Sequence, residues 1–289
     1  MLEIALVSGL GLGSIYGLIA LGFTLTFAVS GTVNFAQGSS VMLGAVLCYT
    51  LGTTLHWPMP LAIPLSLLGC AVWGLVVERF AVRPFLARGS NAWLMATVAL
   101  GIVLDNAVMA LFGKEPRALI SVLADEPIPM GGIGVYPLQL LIPAVALAVA
   151  VALHLVMQRT PLGLRLQAAV QNSAAARLMG IDVGRMVAGT YAAAALLAGI
   201  GGIMVAPLYN VSYGMGTLFG IKAFAVAILG GLTNPWGVVA AGLLYGLVEA
   251  ASTTWLGSSA TQIVTFSAVI LALAFAPAGL FTRARRVRV

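Results

Sequence analysis

The chain reads as long apolar runs separated by short polar breaks, with few regularly alternating polar positions inside a run. The runs cover residues 4–29, 40–55, 61–77, 92–112, 138–157, 187–209, 218–232, 237–255 and 262–276. Each approaches the roughly 20 residues that a helix needs to cross about 30 Å of hydrocarbon. The pattern predicts an all-α fold, a polytopic transmembrane helix bundle of roughly 8–10 spans, with residues 1–289 forming a single transmembrane domain. Composition narrows the picture further: 61% hydrophobic residues, 8% charged residues and a mean hydropathy of +1.07 exclude a soluble globular domain.

One stretch breaks the pattern. Residues 158–186 read QRTPLGLRLQAAVQNSAAARLMGIDVGRM, polar, rich in Ala and carrying Arg. A membrane chain that keeps such a segment on one side has a use for it there, which predicts a docking loop for a soluble partner. A plain amphipathic helix in the membrane interface, with Arg165, Arg177 and Arg185 near headgroups, is the alternative.

The formal charge of +6 does not signal nucleic acid, because the arginines sit in short loops and not on a solvated basic face. They set orientation instead. Arg79, Arg83 and Arg88 fall in one region, Arg159, Arg165, Arg177 and Arg185 in a second, and Arg283, Arg285, Arg286 and Arg288 in the tail, and all three are predicted to be cytoplasmic. Residues 113–136 set Glu115, Asp125 and Glu126 against Lys114 and Arg117, with enough Pro and Gly for an irregular outer loop. The N-terminus is then outside and the C-terminus cytoplasmic. Met1-Leu2-Glu3 has no basic leader, so the first run reads as a retained span.

Small residues such as Gly9 to Gly13, Ala192 to Ala195 and Gly199 to Gly202 allow close helix approach in lipid. Breakers interrupt the apolar pattern at residues 31–38 and 230–237. Paired breaks of this kind point to an inverted repeat with broken helices lining a cavity, while the second also reads as a tight turn between neighbouring spans.

Candidate chemistry is sparse. Cys48 and Cys70 lie in apolar runs as small hydrophobes, and His56 and His154 share no ligand or triad spacing with carboxylates. Met95, Met179, Met204 and Met215 read as flexible packing. No phosphate-binding loop motif occurs, so energy is expected from another chain or an ion gradient. Three charges fall inside runs, where each needs a cavity or a partner. Asp105 faces the translocation path, pairs with a neighbouring helix or sits near an end of its run; Lys222 is expected near the outer interface, its stem snorkelling to headgroups; Glu249 is expected in a structural or gating pair, ahead of a role in proton coupling. Asn34, Gln37, Ser39 and Ser40 beside the first break supply amide and hydroxyl groups suited to a zwitterionic amino acid.

Three blocks, GLGSIYGLIALGFTLTFAVSGTVNFAQGSSVMLGA, NSAAARLMGIDVGR and GIKAFAVAILGGLTNPWGVVAAGLLYGLVE, together resemble the LivH-type permeases of ABC importers for branched-chain amino acids. The resemblance spans nearly the whole chain. It implies a channel-forming subunit of the bacterial cytoplasmic membrane and not an enzyme, paired in the lipid bilayer with a second, LivM-like permease. It further implies two cytoplasmic ABC ATPases, which carry ATP and Mg while this chain binds no cofactor, and an extracytoplasmic binding protein that delivers the substrate. The ATPase-coupling loop then comprises Arg165, Ala174, Ala175, Ala176, Arg177, Gly180 and Ile181. Ala174 stands where the general coupling motif has an acidic residue, and the Ile-x-Leu-Pro that follows there is missing. The remaining readings are a stand-alone ion-coupled carrier, a structural membrane subunit, and a permease of the same family for urea or short amides.

Overall fold

The computed structural model describes residues 2–119, 127–130, 133–276 and 279–281. In chain order the helices are α1 (Leu2–Ser30), α2 (Gln37–Tyr49), α3 (Met59–Val77), α4 (Arg83–Ala87), α5 (Trp93–Phe112), α6 (Pro137–Arg159), α7 (Pro161–Gln171), α8 (Ser173–Leu178), α9 (Val183–Val205), α10 (Met215–Gly230), α11 (Pro235–Leu256) and α12 (Ser258–Phe275). Turns of π-helix, Thr50–Thr54 and Glu78–Val82, continue α2 and α3. Each apolar run of the sequence falls on one of these helices. Seven of them, on α1, α3 (with α4), α5, α6, α9, α11 and α12, are long and apolar enough to cross a membrane. The other two, α2 and α10, are shorter and bury most of their side chains inside the bundle, so neighbouring helices shield them from lipid.

Helix α1, 29 residues long and so about 43 Å, is the central post against which α6, α9, α10 and α11 pack. Its contact with α11 is the most extensive in the molecule, and small residues explain it. Gly9, Gly13 and Gly17 face Gly246, Gly242 and Val239 in antiparallel order, and a β-carbon on Gly13 would stand 2.6 Å from the Gly242 carbonyl oxygen. Gly44 of α2 meets Gly199 of α9 in the same way, its would-be β-carbon also 2.6 Å from the facing carbonyl oxygen. Lipid offers no water-exclusion drive between helices, so this backbone-to-backbone approach carries the association.

A prediction arises at this seam. Gly13→Ala is expected to destabilise the chain by roughly 1–3 kcal/mol through overpacking. Gly189→Ala, with nothing within 4 Å of its would-be β-carbon, is expected to be neutral or mildly stabilising because alanine favours helix. Thermal melting in detergent of the two variants side by side would check it; equal midpoints would refute the seam.

The two breaks differ in kind. Helix α1 stops at an exposed Gly31, φ +67°, and the chain crosses to α2 with Thr32, Asn34 and Ala36 buried and the Thr32 hydroxyl 2.7 Å from the Tyr191 hydroxyl of α9. Helix α10 stops at Gly231, φ +85°, and turns at once: Asn234 donates its N–H to the Gly231 carbonyl at 2.9 Å and caps α11 by accepting from the Gly237 N–H at 3.2 Å. Pro235 opens that helix, where its missing N–H costs nothing. The second break is thus the tight turn of the two sequence readings.

The segment expected to be an irregular outer loop contains a small antiparallel hairpin, β1 (Ile128–Met130) and β2 (Ile133–Val135), with Ile128 opposite Val135. Arg117 and Val211 also exchange backbone hydrogen bonds of 2.9 and 2.8 Å. Both pairings were hidden because the sequence there is dominated by turn formers, while the partner of Arg117 lies far along the chain. Asp125, Glu126 and the tail arginines from Arg283 onward lie outside the described residues.

Candidate functional site

Helix α2 begins directly after the first break, and its opening residues are buried where α1, α5, α9 and α10 meet. Gln37 is 0% exposed and donates its Nε2 to the Ala194 carbonyl at 2.8 Å. Gly22 of α1 leaves the room its amide occupies. Asn34, 1% exposed, accepts the Ala36 N–H on Oδ1 at 3.1 Å. The Nδ2 of Asn34 and the Oε1 of Gln37 have no hydrogen-bond partner among the described residues. The Ser40 hydroxyl turns back to the Ala36 carbonyl and the Ser39 hydroxyl reaches the Gly101 carbonyl of α5, both at 3.4 Å. One turn further along α5, Asp105 accepts a 3.4 Å hydrogen bond on Oδ2 from Thr217 of α10. Gln37, on the same helix start, turns to α1 and α9 and the Ser40 hydroxyl stays on its own helix, while the structure brings Ser39 and Asp105 together. Thr217 joins them without any signal in the sequence, since a single threonine at a helix start is common.

Glu249 lies apart from that group and has a partner. Lys222 Nζ of α10 stands 2.5 Å from Glu249 Oε1 of α11 and 3.3 Å from the Tyr16 hydroxyl of α1. The two residues are 6% and 8% exposed. This corrects the placement of Lys222 near the outer interface: the eighth residue of α10 turns toward α1 and α11, where a carboxylate neutralises it, so its stem has no reason to snorkel. Tyr16 in turn packs edge-on against Tyr245, ring centroids 5.5 Å apart. A pair joining three helices at mid-length can fix their relative positions; Tyr16 and Tyr245 escaped the sequence reading because aromatic residues in apolar runs look like packing.

The polar stretch folds as a compact unit at one end of the bundle. Thr160 caps α7 by accepting the Gly163 N–H at 3.2 Å, and Gly163 lets α7 turn back onto the end of α6. Asn172 caps α8, its Oδ1 accepting the Ala174 and Ala175 N–H groups at 3.1 and 3.0 Å. The helix closes on Gly180, φ +80°, where the Ile181 N–H returns to the Ala176 carbonyl and the Gly180 N–H to the Arg177 carbonyl, each at 3.0 Å. That left-handed closure is the reason for a glycine here. Ala176 is buried with Ala169 and Val183, and Ile181 packs on them, so Ala176 secures α8 from beneath and is not a contact residue. Arg165, Ala174, Ala175, Arg177 and Gly180 face outward. At the tip Leu178 is 90% exposed and Met179 81%, a pair of large apolar side chains with nothing to bury them. Asn172→Ala is expected to loosen α8 by about 0.5–2 kcal/mol through loss of the cap, read as faster backbone hydrogen exchange over residues 174–178.

A cavity of about 460 Å³ lies between α1, α6, α7 and α11, lined by Leu25, Leu153, His154 and Trp236 among others. Its walls are apolar and it touches none of Asn34, Gln37, Asp105 or Glu249. It is a poor match for a polar cargo, so the hydroxyl and carboxylate neighbourhood of α2, α5 and α10 remains the better candidate for a path. Among the described residues no group of three or more His, Cys, Asp or Glu is placed to hold a metal.

A bundle of membrane-spanning helices with buried polar breaks and a capped helical projection at one end has the build of a polytopic permease. The family described as branched-chain amino acid transport system / permease component matches residues 5–276, and the chain belongs to it: it is a membrane-embedded permease subunit of the ABC importer class. It is 32% identical to the high-affinity branched-chain amino acid transport system permease protein BraD of Pseudomonas aeruginosa, over 96% of this chain and 95% of that one. It is 28% identical to the corresponding protein LivH of Escherichia coli, over 96% and 94%. The solved structure of PsaBC from Streptococcus pneumoniae in complex with Fab shares the fold, with TM-score 0.50 at 11% identity over 92% of this chain and 90% of that chain.

Proposed function

We propose that this chain is the path-forming permease of an ATP-driven importer for branched-chain amino acids in a bacterial cytoplasmic membrane. Residues 1–289 serve as one transmembrane permease domain, its N-terminus outside and its C-terminus cytoplasmic. A second, LivM-like permease completes the path, two cytoplasmic ATPases hold ATP and Mg, and an extracytoplasmic binding protein delivers the cargo. This chain binds no cofactor and catalyses no reaction of its own.

The observation that carries this reading is the projection at residues 158–186. A short helix, capped by Asn172 and closed on Gly180, holds Leu178 and Met179 out in the open, and burying each in a partner is worth roughly 1.5–3 kcal/mol. The arginines Arg165, Arg177 and Arg185 are exposed along the same stretch, on the side that the basic-loop rule makes cytoplasmic. An ATPase cleft that receives the tip moves it on closing, and α7 and α9, which flank it in the chain, pass the motion to α1 and α2 through their packing.

The test is purification from the native membrane in mild detergent, identification of the bound subunits, and reconstitution into vesicles. Leucine uptake that requires ATP on the cytoplasmic side, together with an ATPase and a second permease in the complex, is the expected result. A chain that purifies alone and moves solute down an ion gradient would overturn it.

A further inference from the structure

Three charged groups sit in the middle of helices, and two of them satisfy each other. Lys222 and Glu249 form their own buried pair. Asp105 has no such partner: among the described residues no cation lies within 4.0 Å of it. It is the thirteenth of the 20 residues of α5, about 18 Å from that helix's first residue and about 10 Å from its last, and so lies within the span and not at either end of it. It is also only half buried, and its neighbours Asn106 and Thr217 are exposed. Ionised carboxylates do not face acyl chains without strong penalty, so a charged Asp105 calls for polar surroundings on this side of α5 and α10.

We infer that Asp105, with Thr217 and Ser39, is the point of the path that recognises the ammonium group of an amino acid. The argument rests on the importer reading above and adds the chemistry of one site to it. An ammonium has three donors and no acceptor. The three helices present it with acceptors only a hydrogen bond apart: the Asp105 carboxylate of α5, the Thr217 hydroxyl of α10 at 3.4 Å from it, and the Ser39 hydroxyl of α2, which sits 3.4 Å from the Gly101 carbonyl one turn earlier and borders the same carboxylate. Oδ1 of Asp105 is buried and has no hydrogen-bond partner among the described residues, so the carboxylate keeps unused acceptor capacity beside the Thr217 hydroxyl. A single carboxylate with two hydroxyls attracts the cargo's positive end and holds it weakly, and a conducting path needs weak sites so that the cargo can leave. Selection of the side chain is left to the protein that delivers it.

The experiment uses the complete complex in vesicles with leucine-loaded binding protein. Asp105→Asn keeps the shape and the Thr217 hydrogen bond and removes only the charge; it is expected to insert and melt as the wild type does and to lose at least tenfold in leucine uptake. Asp105→Glu, which keeps the charge, is expected to retain more uptake than the asparagine variant. Asp105→Cys is expected to react with a water-soluble, membrane-impermeant methanethiosulfonate in the assembled complex, whether or not it transports, against a background from Cys48 and Cys70, both buried. Wild-type uptake by Asp105→Asn would overturn the inference. So would an Asp105→Cys thiol that stays unreactive in the fully assembled complex, which would mean that the position is packed against a partner. If the wild-type complex itself imports no leucine, the importer reading fails and not merely the role of Asp105.

Discussion

Replacing Lys222 by methionine is expected to destabilise the folded chain by about 3–5 kcal/mol, because Glu249 would be left buried without its partner. Glu249 has one oxygen on Lys222, and its Oε2 has no other described hydrogen-bond partner, so no other group is ready to take over. Glu249→Gln is expected to cost a similar amount from the other side. The double variant Lys222→Met, Glu249→Gln removes both charges and is expected to recover most of the loss, since apolar replacement of a whole buried pair is often nearly neutral. Thermal melting of the four proteins in one detergent gives the cycle. Additive losses would show that the pair does not couple α10 to α11. A double variant that is stable but slow in uptake would show that the pair serves movement as well as stability.

Introducing aspartate at both Leu178 and Met179 is expected to abolish ATP-driven uptake while leaving the bundle intact. These two side chains make no contact that the fold depends on, being 90% and 81% exposed, so the loss must arise in a partner. Charging both removes roughly 3 kcal/mol or more of burial, equivalent to a fall of at least a hundredfold in ATPase affinity. The check is co-purification of the ATPase with the variant and ATP-dependent uptake by it. Gly180→Val should act less steeply by straining the left-handed closure, at about 1–2 kcal/mol. Ala176→Asp is a different kind of variant, because Ala176 is buried beneath α8; it is expected to unseat the projection itself, and hydrogen exchange across residues 173–178 would separate that from a lost contact. Retained uptake in the Leu178 and Met179 variant would remove the docking role.

The two sites were legible in the sequence to different extents. The projection announced itself because charged and Ala-rich residues are conspicuous against apolar runs, and its caps, Asn172 and Gly180, are residue types with a local reason to be there. Leu178 and Met179 did not, since an apolar residue in a helix reads as core until the structure shows nothing covering it. The residues after the first break were legible as polar groups next to a glycine, but not which helix each would meet: Gln37 goes to α9 and Ser39 to α5. Thr217 was invisible because it joins Asp105 from a helix more than a hundred residues away. The Lys222 placement went wrong for the same reason: a run shows how far a charge is from the ends of a helix, but not toward which neighbour it points.

What the sequence determined by itself follows from local physics. Apolar length sets spans, Gly, Pro and Asn set where helices start and stop, and a polar stretch between two spans becomes a surface projection. What only the tertiary structure decided is pairing: which carboxylate meets Lys222, which threonine reaches Asp105, that α2 and α10 bury most of their side chains against longer helices, and that the second break is a turn. Those depend on contacts between residues distant in the chain, and hydropathy carries no record of a helix's rotation about its axis. In a bundle whose helices are apolar on nearly every side, that rotation is fixed by glycine seams such as Gly13 against Gly242 and by the few buried polar groups that must find one another.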